Sequence, residues 1–256
     1  NWFFSIYPIG RGCFRIGIKK MNKLLKSIIN ALEYRWAKSS EQRYTNWLRG
    51  KGCRIGNNVR WHGLRDVSVD VTRPSLIEIG NNVTFTRGCT ILTHGADWHV
   101  LRNIFNEVIA SSGKVRIGNN VFIGTYSIIL KGVCIGDHCI IGAGAVVTKD
   151  IPAGSVVAGN PARIICSIDE YYRKRKSLYI DEAKSYARSI KDNLGRQPVP
   201  ADFWEEFPLF LKAGETLDGA PHSVKYQLDR SYDKFLNTHK PIYESFEEFL
   251  KDAAVK

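Results

Sequence analysis

The feature of this sequence that most constrains its fold is a six-residue repeat between Val115 and Ala162. Aliphatic residues recur at every sixth position, and glycine follows several of them: Ile117, Ile123, Ile129, Ile135, Ile141 and Val147. A short fixed period is typical of a solenoid, in which each repeat supplies one short strand and one turn and neighbouring coils complete the core. The repeat therefore predicts a β-solenoid.

The same phase begins upstream of this run. Ile55 and Ile79 each stand in an "IGNNV" segment, 24 residues apart, which is a multiple of six. Arg73 fits an inward-facing position poorly, so we interpret the coil between them as degenerate. We expect the solenoid to extend over residues 51–166.

The six-residue spacing is interrupted at one place within the solenoid. Ile91 and Ile117 are 26 residues apart, which six does not divide. We interpret residues 93–114 as an excursion from the solenoid. It contains two histidines, His94 and His99, and a loop inserted into a rigid scaffold is a common position for functional residues.

Residues 22–49 have helical periodicity, with apolar side chains on one face and lysines and arginines on the other. We expect one basic amphipathic helix that Gly50 ends. The net charge of +12 lies in the N-terminal quarter of the chain, where residues 11–65 hold 14 Lys or Arg and two Glu. Two interpretations stay open: packing of the helix on the protein body, or contact with an anionic membrane surface. Nucleic-acid binding is not expected, because no recognition motif accompanies the charge.

Helical periodicity returns after the repeat. The segment "SIDE" at 167–170 has a capping-box pattern and begins a helix that Gly195 ends, and a last helix follows Ser245. The predicted organisation has three parts: 1–50, a basic amphipathic helical segment; 51–166, the solenoid with excursion 93–114; and 167–256, a helical C-terminal extension that packs or caps.

The six cysteines form no CxxC pair and have no metal-ligand spacing. We expect reduced thiols used as small core residues, and hence a cytoplasmic protein, with no metal site. Met21 is the single methionine and precedes "NKLLKSIINALEY", so residues 1–20 are interpreted as an upstream extension. No apolar run approaches the roughly 20 residues that span a bilayer.

Several segments resemble one family: "RPSLIEIGNNV", "ILTHGADWHVLR", "GKVRIGNNVFIG", "VVTKDIP", "AGNPARII" and "RQPVPADFWEEF". They are similar to the hexapeptide-repeat acyltransferases, and most closely to bacterial polysaccharide O-acetyltransferases. The resemblance implies a mainly β fold built on a left-handed parallel β-helix. It also implies a homotrimer with acetyl-CoA bound in grooves between subunits and a carbohydrate acceptor.

The resemblance further implies that His94 is the catalytic histidine of the excursion. Acetyl transfer from a thioester to a sugar hydroxyl needs a base that is neutral near pH 7, which suits an imidazole. Relatives commonly carry an acidic residue directly after this histidine, where this chain has Gly95. We therefore expect Asp97 to orient the imidazole, with Glu107 or a backbone carbonyl as the next candidates.

By position in the family, a further set of residues is expected to bind acetyl-CoA: Phe122, Gly124, Gly142, Ala143, Thr148, Lys149 and Arg163. The predicted function is O-acetylation of a sugar of a surface polysaccharide or its precursor. N-acetylation of an amino sugar or a nucleotide sugar is the alternative, followed by a non-catalytic trimeric scaffold. A zinc site like that of γ-class carbonic anhydrases would need a third histidine, and Asn58 stands near the required position.

Overall fold

The computed structural model describes residues 23–255. Seven α-helices lie in this part of the chain: α1 (Lys23–Ala37), α2 (Glu41–Lys51), α3 (Trp98–Phe105), α4 (Ile168–Leu194), α5 (Val224–Leu228), α6 (Tyr232–Thr238) and α7 (Phe246–Asp252). Short 3₁₀ helices lie at Pro74–Leu76, Pro200–Phe203, Phe207–Leu209 and Asp229–Ser231. Helices are thus at least as prominent as strands, so the predicted description as mainly β applies to the repeat region and the chain as a whole is mixed α and β.

Sixteen short strands form three larger sheets and one hairpin within residues 54–167. The first sheet contains β1 (Arg54–Ile55), β4 (Ile77–Ile79), β9 (Val115–Ile117) and β12 (Cys134–Ile135). The second contains β2 (Arg60–Trp61), β5 (Val83–Phe85), β10 (Val121–Ile123), β13 (Ile140–Ile141), β15 (Ser155–Ala158) and β16 (Arg163–Ser167). The third contains β3 (Ser68–Val69), β6 (Thr90–Ile91), β11 (Ile128–Ile129) and β14 (Val146–Val147). The two-stranded sheet pairs β7 (His94–Gly95) with β8 (Ser111–Ser112).

Successive strands visit the three larger sheets in turn, so the chain forms three-sided coils. Pairing within these sheets is parallel, except that β16 returns antiparallel to β15. The inward residues are in register from coil to coil, as Ile79 with Ile117 and Ile117 with Ile135. Parallel stacking buries the aliphatic hexad positions in one continuous core. The predicted β-solenoid is therefore present.

Each coil has three corners, which we name by their content. The ladder corner joins the first sheet to the second and comprises residues 56–59, 80–82, 118–120 and 136–139. The glycine corner joins the second sheet to the third and comprises residues 62–67, 86–89, 124–127 and 142–145. The loop corner joins the third sheet to the first and comprises residues 70–76, 92–114, 130–133 and 148–150.

The ladder corner repeats one set of hydrogen bonds in every coil. The backbone N–H groups of Asn57, Asn81 and Asn119 donate to Oδ1 of the equivalent residue in the next coil, at 2.8, 2.9 and 2.6 Å; the last acceptor is Asp137. The residue that follows has a left-handed φ of 54° to 59°: Asn58, Asn82, Asn120 and His138. Asn tolerates this conformation better than most residues, which explains its recurrence in the repeat. His138 thus occupies the same turn position as the three asparagines.

The coils differ in length, and most of the difference falls at the loop corner. A regular coil takes 18 residues, as from Asn119 to Asp137. The first coil takes 24 residues and the second 38. The predicted excursion accounts for the second. The interpretation of the 24-residue interval as four hexads is wrong, because it is one coil with six inserted residues.

The six inserted residues divide between two corners. Ten positions separate Val69 from Ile79, where six separate Ile129 from Ile135, so four insertions lie at the loop corner. They include the 3₁₀ turn Pro74–Leu76. The shorter loop, residues 70–76, therefore leaves the same corner of the solenoid as the longer excursion.

The N-terminal segment forms two helices rather than the single predicted one. The break lies at residues 38–40, where the Ser40 side chain accepts a hydrogen bond from the Arg43 N–H and caps α2. Tyr44 and Leu48 on α2 are buried in the solenoid core cluster. The apolar residues of α1 contribute only Ala37 to that cluster among those described. Within residues 23–255, the apolar face of α1 does not pack on the protein body, which contradicts one of the two open interpretations.

The chain divides into two compact units, with the boundary between Asp169 and Glu170. The first unit holds α1, α2 and the solenoid. The second has its own apolar core, which includes Phe203, Leu209 and Phe249. The predicted helices after residue 167 and after Ser245 are present as α4 and α7. The predicted domain boundaries at residues 50 and 166 stay predictions.

The described cysteines are free thiols: Cys53, Cys89, Cys134, Cys139 and Cys166. Burial raises the pKa of the Cys53 thiol to about 11 and also raises that of Cys89 and Cys139. These thiols stay protonated and pack as small apolar side chains. Cys13 and the predicted start at Met21 lie outside the described residues. No helix within residues 23–255 is both long and apolar enough to cross a bilayer.

Candidate active site at the loop corner

His94 lies where the longer excursion leaves the solenoid. It follows the third sheet by three residues and pairs with Ser112 at the base of the β7–β8 hairpin. This hairpin closes the excursion, and α3 lies inside it. The His94 side chain is one-third exposed, so the ring is held by the scaffold while one edge faces solvent.

Asp70, on the shorter loop, holds the imidazole. Its Oδ2 lies 2.6 Å from His94 Nδ1 and accepts hydrogen bonds from the backbone N–H and Oγ1 of Thr93, at 3.0 and 2.6 Å. Its Oδ1 accepts from the N–H and Oγ1 of Thr72, at 3.1 and 2.6 Å. Thr72 Oγ1 is also 3.2 Å from His94 Nδ1. Both carboxylate oxygens are therefore occupied, and the imidazole cannot rotate without losing a short hydrogen bond.

The environment keeps Asp70 ionised. Its side chain is only 8% exposed, and burial alone would raise the pKa of the carboxyl. The hydrogen bonds from Thr72, Thr93 and His94 outweigh burial, so the pKa of Asp70 falls well below its ordinary range. A carboxylate at this position accepts hydrogen bonds and donates none.

The two loops at the corner are also linked to each other. Arg73 Nη1 donates to the carbonyl of Ser111 at 3.1 Å, which connects the shorter loop to the closing strand of the excursion. Val69 pairs with Ile91, and this register brings Thr72 beside His94 one coil above. The insertion at residues 70–76 is what brings the carboxylate to the histidine.

Asp97 does not have the predicted role in this geometry. Asp70 holds Nδ1 of His94, whereas the partner shown for the Asp97 carboxylate is Ser111 Oγ, at 3.4 Å. A Cβ at Gly95 would collide with Asp97 Oδ1 and would lie 2.8 Å from Ser111 Oγ. Asp97 Oδ1 thus occupies space that a side chain at position 95 would need, but the expectation that Asp97 orients the ring is wrong. Glu107 and a backbone carbonyl, the other candidates, are likewise not what the ring contacts.

His99 makes its contacts with Ala96 and Trp98, in and just before α3. Its Nδ1 lies 2.8 Å from the carbonyl of Ala96, and its ring stacks on that of Trp98 with centroids 3.7 Å apart. Asn58 lies at the ladder corner, so it does not complete a ligand set with the two histidines. No group of three or more His, Cys, Asp or Glu side chains suitable for a metal ion occurs within residues 23–255.

The residues predicted to bind acetyl-CoA fall into two places on one chain. Thr148 and Lys149 follow β14 at the loop corner, in the same column of the solenoid as His94. Lys131 stands in the same column, one coil closer to His94. Its Nζ would lie 3.1 Å from a Cβ added to Gly95. The structure therefore brings Thr148 and Lys149 to the edge that carries the histidine.

The remaining predicted residues lie on the second sheet and at the glycine corner. Phe122 is an outward residue of β10 and is 42% exposed. Gly124, Gly142 and Ala143 occupy the glycine corner, and a Cβ on Gly124 would lie 2.6 Å from backbone atoms of the next coil. Arg163 begins β16, and its Nη1 donates to the Ala162 carbonyl. A single chain does not bring this second set to His94.

Sequence reasoning missed Asp70, Thr72 and Thr93. The available signal was the "SVDVT" segment at 68–72, where an acidic residue directly follows the inward-facing Val69. Treating residues 55–79 as four hexads concealed the loop that carries Asp70.

Comparisons with known proteins agree on one family. A family model described as bacterial transferase hexapeptide (six repeats) matches residues 114–149. Protein CapG of Staphylococcus aureus is 42% identical over 154 residues, covering 57% of this chain and 88% of that protein. Galactoside O-acetyltransferase of Escherichia coli (strain K12) is 36% identical over 129 residues, covering 49% of this chain and 61% of that protein.

Solved structures include a hexapeptide-repeat acetyltransferase from Vibrio cholerae in complex with acetyl coenzyme A. It is 23% identical, with a TM-score of 0.39, and the match covers 56% of this chain and 87% of that one.

The family model and the sequence identities together decide the class. The chain belongs to the bacterial hexapeptide-repeat transferases, and it is an acyltransferase.

Proposed function

We propose that this acyltransferase is an acetyl-CoA-dependent O-acetyltransferase that acts on a sugar hydroxyl of a surface polysaccharide or its precursor. The observation that carries the proposal is the His94–Asp70 pair at the base of the excursion. The name of the galactoside O-acetyltransferase, one of the relatives, supports a sugar hydroxyl as the acceptor. The solenoid coils are proposed to wind left-handed, as in the family that the sequence resembles.

The hydrogen bonds of His94 support Nε2 as the proposed base. Asp70 is an ionised acceptor, and Thr72 Oγ1 already donates its proton to Asp70. Nδ1 must therefore carry the ring proton, which leaves the lone pair on Nε2. No hydrogen bond to Nε2 is found within residues 23–255, so this nitrogen is available to a substrate hydroxyl.

The proposed reaction is direct transfer. Nε2 of His94 removes the proton from the sugar hydroxyl as its oxygen attacks the thioester carbonyl. The tetrahedral intermediate collapses by breaking the C–S bond, and the thiolate of coenzyme A takes the proton from the imidazolium. Asp70 stabilises the imidazolium through the 2.6 Å contact and keeps Nε2 directed at the acceptor.

A homotrimer would complete the donor site. None of the residues of α3 is buried by the described part of the chain. The apolar side chains of Ile104 and Phe105 are more than 60% exposed beside the candidate site. We propose that a second copy covers them and brings its glycine corner against the loop corner of the first. Acetyl-CoA would then lie between Lys149 and Thr148 of one copy and Gly124, Gly142 and Ala143 of the next.

The cellular site follows from the substrates. Acetyl-CoA is available in the cytoplasm, and free buried thiols such as Cys89 suit a reducing compartment. We propose that the enzyme works there.

The test is release of coenzyme A thiol from acetyl-CoA over a panel of sugars and capsule oligosaccharides. The wild type is compared with His94→Ala and with His99→Ala, a matched control in the same excursion. We expect only His94→Ala to lose turnover while it still binds acetyl-CoA. Failure of the wild type to bind acetyl-CoA, or full turnover by His94→Ala, contradicts the proposal.

A further inference from the structure

The N-terminal helix α1 presents an apolar face that the other residues of the described range, 23–255, leave uncovered. Five large apolar side chains on this face are between 42% and 59% exposed: Leu25, Ile28, Ile29, Leu32 and Trp36. Their spacing of three, four and seven residues places them on one side of the helix, and we call them the α1 stripe. An isolated helix of 15 residues is marginal in water, and packing of its apolar face normally supplies the missing stability.

The structure shows which side of α1 contacts the rest of the chain. The Tyr34 ring meets Trp47 on α2 edge-on, with centroids 5.2 Å apart, and Ala37 is fully buried. Glu33 forms an ion pair with Lys51 Nζ at 3.4 Å. At 100° per residue, Tyr34 lies roughly opposite Leu25. Leu25, Ile28, Ile29 and Leu32 of the α1 stripe therefore point away from α2 and the solenoid, while Trp36, at the C-terminal end of the stripe, lies beside Arg43 of α2.

The charges around the α1 stripe favour an anionic partner. Residues 23–51 contain seven Lys or Arg and two Glu. One of these acids, Glu33, is paired within the chain. On the helix, Lys26 and Arg35 lie on the two margins of the stripe, and the Arg43 guanidinium lies 5.0 Å from the centre of the Trp36 ring. Aliphatic residues flanked by cations, with a tryptophan at one end of the stripe, form the pattern of a helix lying in a lipid headgroup region.

We infer that α1 is a peripheral membrane anchor, which lies flat on an anionic bilayer with the α1 stripe buried among the acyl chains. The apolar side chains supply the affinity, and the flanking cations restrict binding to negatively charged lipid. A second copy of the chain is the less favoured occupant, because two stripes facing each other would bring their basic margins together.

The test is co-sedimentation of the full chain with lipid vesicles. Vesicles of phosphatidylcholine alone are compared with vesicles that also contain phosphatidylglycerol, at low and high salt. We expect binding only to the anionic vesicles, and weaker binding at high salt. Absence of binding to anionic vesicles at low salt overturns the inference.

Two variants locate the binding surface. Ile29→Glu with Leu32→Glu should reduce the bound fraction by about tenfold or more. The matched control is Leu194→Glu with Ile242→Glu, which makes the same charge change at two exposed apolar residues of the second unit. Equal loss in both double variants overturns the inference. So does a smaller assembly mass of the α1 variant in vesicle-free solution, since a second copy would then be the occupant.

A further variant guards against misfolding. Lys26→Gln with Arg35→Gln leaves the apolar side chains in place and should weaken binding about fivefold for each charge removed. Unchanged binding of this variant argues against an anionic surface. Turnover of acetyl-CoA on a soluble sugar should be unaffected in all these variants, which separates the anchor from the proposed catalytic function.

Discussion

The ladder corner and the loop corner belong to the same coils, but contacts repeat from coil to coil only at the ladder corner. At the ladder corner, Asn57, Asn81, Asn119 and Asp137 make equivalent contacts in successive coils. At the loop corner, Asp70 contacts His94 through two insertions of different length. Repetition builds a rigid stack because each coil satisfies the next. Chemistry needs unlike side chains at one point, and the insertions bring them together.

The largest expected effect comes from two Asp→Asn substitutions that compare the corners. Asp70→Asn should lower kcat by about 10²–10⁴-fold, because the amide no longer stabilises the imidazolium or selects the Nε2 base. Asp137→Asn should leave kcat unchanged, since Asn occupies the equivalent position in the three preceding coils. Steady-state thiol release with purified variants measures both. Equal losses in the two variants would show that the corners do not differ in function.

The second comparison concerns stability. A Cβ added to Gly118, in the ladder corner, would lie 2.8 Å from the backbone nitrogen of Asp137. A Cβ added to Gly95 would instead meet the side-chain ends of Asp97, Ser111 and Lys131. Gly118→Ala should therefore lower the free energy of unfolding by about 1–3 kcal/mol, because backbone must shift. Gly95→Ala should cost less than about 1 kcal/mol, because side chains can move.

Urea denaturation of both glycine variants measures the difference. A larger stability loss at Gly95 than at Gly118 would mean that the loop corner is as tightly specified as the ladder corner. Turnover should show the reverse order, with Gly95→Ala the more impaired enzyme, since the substitution displaces groups beside His94.

A third, smaller effect concerns acid stability at the end of the excursion. Hydrogen bonds from Lys114 and Arg116 lower the pKa of Glu78 to about 2, from 4.5. The unfolded chain therefore takes up this proton first as the pH falls, so Glu78 stabilises the fold above pH 4.5 and loses that contribution between pH 4.5 and about 2. Glu78→Gln should flatten the pH dependence of the urea midpoint over this interval.

The control for that measurement is Glu244→Gln, whose side chain is 91% exposed. It should retain the wild-type pH dependence. If Glu78→Gln also retains it, the ion pairs with Lys114 and Arg116 do not anchor the excursion to the first sheet.

The smallest expected effect is that of Asp97→Asn. The Asp97 carboxylate accepts one long hydrogen bond from Ser111 Oγ, at 3.4 Å, and does not contact His94. Turnover should change by no more than about threefold. A loss comparable with that of Asp70→Asn would show that Asp97 acts on the histidine. The insertion that carries Asp70 would then no longer explain why chemistry is found at the loop corner.

The hexad count was sufficient to predict the solenoid, because a period of six is a local property that each coil repeats. It also predicted the excursion that contains His94, since the spacing between Ile91 and Ile117 is not a multiple of six. The helix after residue 167 was readable for a similar reason, as its periodicity continues to Leu194. Each of these conclusions depends on neighbours in sequence.

Contacts between coils could not be read in the same way. The sequence favours Asp97 because it is three residues from His94, whereas Asp70 is 24 residues away and lies in a coil of irregular length. The break between α1 and α2 depends on the cap at Ser40, within a segment that has continuous helical periodicity. The exposure of the α1 stripe depends on which helix face meets Trp47.

The sequence by itself determined the repeating scaffold and the place where it is interrupted, because both follow from the spacing of apolar residues along the chain. Only the tertiary structure decided which carboxylate holds the histidine and which face of α1 is left uncovered by residues 23–255. These depend on the register between coils and on packing between helices, which bring together residues that the sequence keeps far apart.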